Sequence, residues 1–221
     1  MNQLHTKIIT VANQKGGCGK TTITMQLAGS LGKDNLKVLV VDADPQGTAT
    51  RWAASASDEL PFPAHIAGLS AAGGQVHKEV KKYIGLYDFI LIDCPPSVDS
   101  LIPQSALVVS NLVLIPVIPS PADLWAAVGI QELIERIQII NTELKSLIVP
   151  NMCQSNQTLT QDTLKVLNDF GIEICKSHIY LRTAYKQSVV LGKTIHDIKG
   201  AIKAEREILH LKKEVLKQLN Y

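Results

Sequence analysis

Short apolar runs rich in β-branched residues recur along the chain, and each is followed by a longer segment with apolar residues every three or four positions. The first pattern is typical of strands and the second of amphipathic helices. The predicted strands are Lys7–Ala12, Val38–Val41, Phe89–Ile92, Leu112–Val117, Ser146–Val149 and Ile172–Ile179. The predicted helices are Thr21–Leu31, Gln75–Tyr83, Leu101–Val109, Leu124–Ile140, Leu159–Phe170 and Lys199–Leu219.

This alternation of strands and helices predicts the fold class. Strands that are apolar along their whole length are covered on both faces, as in parallel sheets. We therefore expect an α/β fold in which a doubly wound, mostly parallel sheet is flanked by helices, as one domain over residues 1–221. The stretch Ala53–Gly74, with its proline, alanine and glycine content, is interpreted as an irregular loop with room for one short element.

Composition narrows the class of protein. The chain has 221 residues, 46% of them hydrophobic, which is enough for one large core. Its four cysteines lie far apart and its six histidines lack the spacing of metal ligands, so we expect reduced core thiols rather than disulfides or a zinc site. There is no apolar run long enough for a membrane span and no secretory signal pattern, so we expect a cytoplasmic protein.

Positive charge is concentrated in the last fifth of the chain. Residues 176–221 contain ten lysines and arginines against four acidic residues, whereas residues 1–175 contain twelve against sixteen. This asymmetry favours an anionic partner, either nucleic acid or a membrane surface, although a solvated charged helix shows the same pattern.

A glycine-rich segment, Lys15-Gly16-Gly17-Cys18-Gly19-Lys20-Thr21-Thr22, lies between the first predicted strand and the first predicted helix. Its glycines let successive backbone N–H groups face an anion, and the helix N-terminus adds to the attraction. Lys20 is expected to contact the β- and γ-phosphates of ATP, Thr21 to ligate Mg²⁺, and Thr22 to bond the α-phosphate. The predicted nucleotide-binding residues of this loop are Gly16, Gly17, Cys18, Gly19, Lys20, Thr21 and Thr22.

Acidic residues follow two other predicted strands, at the edge of the sheet where α/β folds bind ligands. Asp42 could hold the metal through a water, and Asp44 could orient the water that attacks the γ-phosphate. Asp93 closes an apolar strand as a Walker B acid does, and would act on Mg²⁺ through a water. An acidic surface turn is the plain alternative for the first pair.

The glycine loop departs from the ordinary pattern G-x-x-x-x-G-K-[ST], because Gln14 stands where the first glycine belongs. With Lys15 beside it, the segment is the deviant Walker A pattern, and the chain resembles the ParA family of partition and positioning ATPases. It is most similar to short members without an N-terminal helix-turn-helix domain. The other segments that carry the resemblance are Asp42–Gly47, Asp93–Pro96, Ile118–Trp125 and, more weakly, Arg182–Tyr185 with Gly192–Ile195.

The resemblance implies a SIMIBI-like P-loop ATPase that uses ATP and Mg²⁺ and works as an ATP-dependent homodimer. In this family the signature lysine, here Lys15, reaches the phosphates of the partner's nucleotide. Lys15, Lys20 and Asp44 are therefore the expected catalytic residues. The resemblance also implies adenine contacts from Asn151 and from the loop near Pro119.

The family further implies binding of the ATP-bound dimer to double-stranded DNA without sequence preference, through basic residues near the C-terminus. We then expect a nucleoid-associated protein whose hydrolysis is stimulated by a ParB-like or other adaptor, and which segregates DNA or positions another cargo. The DNA-binding candidates are Arg182, Lys186, Lys193, Lys199, Lys203 and Arg206.

A MinD-like ATPase that switches on a membrane surface is the alternative, because Lys199–Leu219 is amphipathic. Its apolar residues, Ile202, Leu209, Leu216 and Leu219, include no tryptophan or phenylalanine, so we expect a terminal helix packed on the core and no stable membrane association. An iron–sulfur reductase would need a second suitably placed cysteine to bind the cluster together with Cys94, and the sequence offers no convincing one. A tyrosine kinase would be expected to carry a tyrosine-rich C-terminal tail, whereas Tyr221 is alone there.

Overall fold

A computed structural model describes residues 6–96, 100–154 and 173–221, and of residues 121–128 the backbone only. The strands are β1 (Lys7–Val11), β2 (Val38–Asp42), β3 (His65–Gly68), β4 (Phe89–Asp93), β5 (Leu112–Val117), β6 (Lys145–Pro150) and β7 (Glu173–Ile174). The helices are α1 (Lys20–Gly32), α2 (Thr48–Ala54), α3 (Val76–Lys81), α4 (Leu101–Leu107), α5 (Pro121–Gln138), α6 (Thr183–Val190) and α7 (Ile202–Gln218).

The strands form one seven-stranded sheet in the order β3-β2-β4-β1-β5-β6-β7, and every pair of neighbours is parallel. The expected parallel α/β fold is therefore confirmed. In the register of the sheet, Asp93 pairs with Val11 on one side and with Asp42 on the other. The carboxyl ends of β1, β2 and β4 consequently meet at one edge.

The core has two layers, one on each face of the sheet. Neighbouring residues in a strand point to opposite faces, and Ile8 and Ile9 accordingly belong to different buried clusters. The cluster on one face includes residues of α1, α6 and α7, and the cluster on the other includes residues of α3, α4 and α5. Coverage on both faces explains why the strands are apolar throughout.

The amphipathic C-terminal segment forms α7, which packs on the core as expected. Its buried face is carried by Ala204, Ile208, Leu211 and Val215, which recur at helical spacing. Two of the four apolar residues expected on the packed face do not face the core, since Ile202 is 61% exposed and Leu209 is 38% exposed. In the described part of the chain, no helix is long and apolar enough to cross a bilayer.

The stretch interpreted as an irregular loop contains more structure than its composition indicated. α2 ends within it, β3 pairs with β2, and a 3-10 segment spans Ser70–Gln75. β3 is a half-exposed edge strand, so it lacks the continuous apolar run of the central strands. The eight-residue α6 was likewise not predicted from the spacing of apolar residues.

The predicted strand over residues 172–179 is much shorter than expected. β7 has two residues, because the backbone N–H groups of Lys176 and Ser177 donate to the carboxylate of Glu214 in α7 instead of to a neighbouring strand. The predicted helix Leu159–Phe170 lies outside the described residues.

Candidate functional site

The glycine loop runs from β1 to α1 in a conformation that requires glycine. Gly17 and Gly19 have φ values of 74° and 88°, a region that side chains disfavour. Gly19 is also packed closely, since a Cβ atom there would lie 2.2 Å from the side-chain nitrogen of Asn151. The predicted phosphate loop therefore has the backbone that an anion cradle needs.

Internal hydrogen bonds hold this loop in shape. The buried Lys20 donates from Nζ to the carbonyl of Lys15 at 2.9 Å, and the Cys18 thiol donates to the same carbonyl at 3.3 Å. The side-chain amide of Asn151 donates to the Cys18 carbonyl at 2.7 Å. The loop is thus preorganised, and Asn151 lies against its backbone; the adenine contact of Asn151 remains a prediction.

The residues that enter the loop are fixed by the neighbouring elements. Asn13 donates to the carbonyl of Pro116 in β5 at 2.7 Å and accepts from the backbone N–H of Lys15 at 3.2 Å. Gln14, the residue that breaks the ordinary pattern, packs against Gly129 of α5, where an added Cβ would lie 2.4 Å from its Oε1. The larger side chain at position 14 therefore fits because residue 129 is glycine.

The acids at the sheet edge lie directly behind the start of α1. The carboxylate of Asp93 accepts from the hydroxyl of Thr21 at 2.6 Å and from that of Thr24 at 3.3 Å. Asp42 uses Oδ2 to accept from the backbone and hydroxyl of Thr50, at 2.8 and 2.7 Å. Its other oxygen, Oδ1, is buried and has no partner among the described residues.

This arrangement fits the magnesium ion that the loop implies. A buried carboxylate oxygen without a hydrogen bond is costly unless a cation or an ordered water satisfies it. Carboxylate and hydroxyl oxygens are also the donors that Mg²⁺ takes in nucleotide sites. Thr21, Asp42 and Asp93 are therefore the residues that would hold the ion, directly or through water.

Asp93 is the acid whose protonation the structure perturbs most clearly. Burial raises its pKa to about 7; the hydrogen bond from Thr21 opposes this, while the negative charges of Asp42 and Asp44 add to it. Because the folded-state pKa lies above the ordinary value, Asp93 favours the folded protein at low pH, and this contribution is lost as the pH rises through about 7.

Asp93→Asn should therefore stabilise the nucleotide-free protein at pH 8 by on the order of a few kcal/mol, because the neutral amide removes the cost of a buried charge. The gain over the wild type should shrink as the pH falls from 8 to 5. Urea unfolding of both proteins across this range measures it. A difference in stability that does not change with pH would contradict the assignment.

A cavity of about 280 Å³ opens over the loop and is lined by five of the seven predicted loop residues, Gly16 and Cys18 being the exceptions. Its lining residues are Gly17, Gly19, Lys20, Thr21, Thr22, Asp44, Pro96 and Met152. Asp44 accepts from the backbone N–H of Gln46 at 2.9 Å, which fixes its carboxylate at the rim. Lys20 and Asp44, the acid predicted to orient the attacking water, thus line the same cavity.

A smaller cavity of about 90 Å³ adjoins the first and shares Thr22 and Met152 with it. Tyr180 and Leu181 contribute to its wall together with residues of α6. Asn151, which was predicted to contact adenine, lines this cavity, whereas Tyr180 and Leu181 were not predicted. Arg182 and Lys186, which were predicted as DNA-binding residues, line it as well. Pro119 follows β5 at the same sheet edge but is not among the described lining residues of either cavity.

The six predicted DNA-binding residues line two surface grooves that share Thr183. One groove, of about 570 Å³, contains Lys186, Lys193 and Lys199, and the other, of about 580 Å³, contains Arg182, Lys203 and Arg206. Arg182 is already engaged, since its guanidinium donates to Glu207 at 2.5 and 2.8 Å.

The four cysteines lie in the core, as composition predicted. Cys18, Cys94, Cys153 and Cys175 are all buried thiols. Burial raises the pKa of Cys153 and Cys175 to about 12, and that of Cys94 still further, so these thiols stay protonated. In the part of the chain that the structure describes, no group of three or more histidine, cysteine or acidic residues could hold a metal ion.

A parallel sheet with a phosphate loop between β1 and α1, and with acids closing β2 and β4, defines a P-loop nucleotide-binding protein. The sequence matches the CobQ/CobB/MinD/ParA nucleotide binding domain over residues 9–195. The chain belongs to this family. It is an ATPase of the ParA/MinD type, and its cofactors are ATP and Mg²⁺.

Individual relatives span most of the chain. "Maintenance of carboxysome distribution protein A" from Halothiobacillus neapolitanus is 33% identical over 190 residues, 86% of this chain and 87% of the relative. Apo McdA from Cyanothece shares the fold with a TM-score of 0.81 at 20% identity, over 96% of this chain and all of that one. Cobyrinic acid a,c-diamide synthase from Mycobacterium smegmatis, with an ATP analogue and magnesium bound, has a TM-score of 0.74 at 26% identity, over 97% and 95%.

Proposed function

We propose that the protein is a positioning ATPase: it dimerises with ATP, binds double-stranded DNA of any sequence in that state, and is released from the nucleoid when an adaptor stimulates hydrolysis. The observation that carries this proposal is the grouping of six basic residues, all from the C-terminal part of the chain, around two adjoining grooves. The adaptor is a ParB-like protein or a protein of equivalent role.

The cargo that we propose is a large protein assembly rather than a plasmid or chromosome. The relative from H. neapolitanus maintains carboxysome distribution, and it is 33% identical over 86% of this chain. The chromosome partitioning protein ParA from Caulobacter vibrioides is 25% identical over 95%. The alternative is that the protein transports DNA with the same ATPase cycle. Identification of the adaptor would distinguish the two cargoes.

Hydrolysis at this site depends on positioning more than on strong base chemistry. Lys20 would neutralise the phosphates from inside the loop, and Asp44 would hold the attacking water at the rim of the cavity. Bound Mg²⁺ would offset the negative charge of the phosphate oxygens, held by Thr21 with Asp42 and Asp93. The loop needs little rearrangement for this, because its hydrogen bonds already fix its shape.

Dimerisation supplies the remaining cation in this proposal. Lys15 uses its backbone N–H and carbonyl to shape the loop, and the neighbouring Gly16 and Gly17 are exposed. A second subunit can therefore approach this side of the loop closely. A lysine delivered across such an interface stabilises charge in phosphoryl transfer as an arginine finger does.

Lys15→Ala should bind ATP nearly as well as the wild type but hydrolyse it at least about 100-fold more slowly, since the loss of a cation supplied in trans has effects of this size. Its backbone groups, which shape the loop, are retained in the variant. Equilibrium binding of fluorescent ATP and steady-state turnover measure the two quantities. Wild-type turnover by the variant would refute the role in trans.

DNA binding should weaken when the lysines of the first groove are removed. Changing Lys186, Lys193 and Lys199 to alanine should lower the affinity of the ATP-bound protein for duplex DNA by about tenfold or more, because each phosphate contact contributes through counterion release. The log–log dependence of affinity on salt should become shallower by about 0.9 for each lysine that no longer neutralises a phosphate. Fluorescence anisotropy with a labelled duplex, titrated at several salt concentrations, measures both.

The matched control removes three lysines from a different part of the surface. Lys78, Lys81 and Lys82 lie on or just after α3, and all three are exposed. Their alanine triple variant should bind DNA like the wild type. Equal losses from both triple variants would show a nonspecific charge effect, and wild-type protein that binds no DNA with ATP would overturn the proposal. Co-sedimentation with anionic liposomes tests the membrane alternative on the same variants.

A further inference from the structure

The basic segment 183–199, which carries Lys186, Lys193 and Lys199, is anchored to two helices that begin at the nucleotide site. α1 starts at the phosphate loop, and α2 follows the Asp42–Gly47 turn. A side chain of each helix forms a hydrogen bond with the basic segment, and Lys33 at the C-terminal end of α1 adds an ion pair with Asp197. The contacts are hydrogen bonds, which fix distance and direction more narrowly than apolar packing does.

The contact from α1 is made by Gln26, which is fully buried. Its Nε2 donates to the hydroxyl of Ser188 in α6 at 2.7 Å, and its Oε1 accepts from the backbone N–H of Ile195 at 2.7 Å. The Ser188 hydroxyl in turn donates to the carbonyl of Tyr185 at 2.8 Å. One side chain therefore joins the phosphate-loop helix to α6 and to the turn that follows α6.

The contact from α2 is made by Trp52, whose indole N–H donates to the carbonyl of Lys193 at 3.1 Å. In the same helix Thr50 binds the carboxylate of Asp42, one of the proposed metal-site acids. Hydrogen bonds at Thr50 and Trp52 thus connect Asp42, through helix α2, to the backbone of a groove lysine.

Helix α1 and the basic segment are closely packed near Gln26. One turn further along α1, a Cβ atom on Gly29 would lie 2.3 Å from the Cγ2 atom of Thr194, so the helix and the basic segment touch without a gap. Closely packed, hydrogen-bonded elements transmit small displacements because no soft contact absorbs them.

We infer that Gln26 is a positioning residue that couples the nucleotide state to the basic segment 183–199. Nucleotide phosphates would bind at the N-terminal end of α1 and so affect the position of this helix. Because Gln26 is hydrogen-bonded to Ser188 and Ile195, the position of α1 sets the relative placement of Lys186 and Lys193. DNA affinity then depends on ATP through the shape of each subunit as well as through dimerisation. This inference rests on the proposed function.

Ser188→Ala is the main test, since it breaks the bond from Gln26 at a residue outside the nucleotide site. The variant should bind ATP and dimerise with it to within about twofold of the wild type, while its ATP-bound form should lose about fivefold or more in DNA affinity. Gln26→Leu removes both hydrogen bonds at similar side-chain volume. It should likewise retain ATP binding and dimerisation, and should lose more DNA affinity than Ser188→Ala.

Ser110→Ala is the matched control. Like Ser188, Ser110 is buried, forms a side-chain hydrogen bond, here with Thr10 at 2.6 Å, and donates to a backbone carbonyl one turn earlier, here Ala106 at 2.8 Å. This control should show a similar loss of melting temperature and wild-type DNA affinity. Equal DNA losses in Ser188→Ala and Ser110→Ala, or a loss of ATP binding as large as the loss of DNA binding, would overturn the inference.

Hydrogen–deuterium exchange separates this inference from the proposed function because it needs no DNA. ATP should change the exchange of residues 183–199 in the wild type and in Ser110→Ala, and should change it much less in Ser188→Ala. An unchanged exchange rate in the wild type would overturn the coupling even if ATP-dependent DNA binding is found. The expected exchange pattern without DNA binding would instead count against the proposed function alone.

Discussion

Replacing Lys20 by methionine should abolish ATP hydrolysis and lower ATP affinity by about 100-fold or more. Lys20 is expected to bond two phosphates, and each charge-assisted hydrogen bond contributes about 1.5–3 kcal/mol. The side chain is buried and already points into the loop, where its Nζ lies 2.9 Å from the Lys15 carbonyl. Methionine keeps the apolar length of the side chain and removes only the cation. Isothermal titration with a nonhydrolysable ATP analogue gives the affinity.

Lys212→Met distinguishes this loss from the general cost of removing a buried lysine. Lys212 of α7 is likewise buried, and its Nζ binds the Ser30 carbonyl and the Asp34 carboxylate at the far end of α1, at 3.2 and 2.8 Å. This variant should be destabilised but should bind ATP like the wild type. Similar ATP affinity in both variants would contradict the assignment of Lys20 to the phosphate site.

Replacing Gly19 by alanine should be nearly as damaging to ATP binding, and more damaging to the fold. The new Cβ would lie 2.2 Å from the side-chain nitrogen of Asn151, and the residue would keep a φ of 88° that alanine disfavours by about 1–2 kcal/mol. Either the loop or the Asn151 amide must then move, and both movements break the bond from Asn151 to the Cys18 carbonyl. Thermal unfolding and ATP titration measure the two losses.

Gly17→Ala provides the comparison for Gly19→Ala, because Gly17 also has a positive φ, 74°, but no atom lies within 4 Å of its added Cβ. This variant should lose only the cost of backbone strain, about 1–2 kcal/mol of unfolding free energy. The larger loss expected at Gly19 comes from the contact with Asn151. Equal destabilisation of the two variants would show that this contact does not constrain the loop.

Most of the fold could be predicted from local pattern, and the exceptions have physical reasons. The central strands were recognisable as short, continuously apolar runs, and α7 was recognisable because burial of one face imposes a helical period on its apolar residues. β3, α2 and α6 were missed because an edge strand and short helices bury too few side chains to show a clear pattern. In α7 the buried face was placed partly wrong, since Ile202 is exposed and Ala204 carries that turn.

Local spacing also determined the phosphate loop, because its glycines, lysines and threonines act through backbone conformation and sequence neighbours. What only the tertiary structure decided is how distant residues meet at the sheet edge. The parallel register brings Asp42 beside Asp93, Gly129 makes room for Gln14, and Asn151 closes on Gly19. The structure also shows that Arg182 is paired with Glu207, and that Gln26 ties the phosphate loop's helix to the basic segment. Such contacts follow from chain topology, which residue spacing alone does not encode.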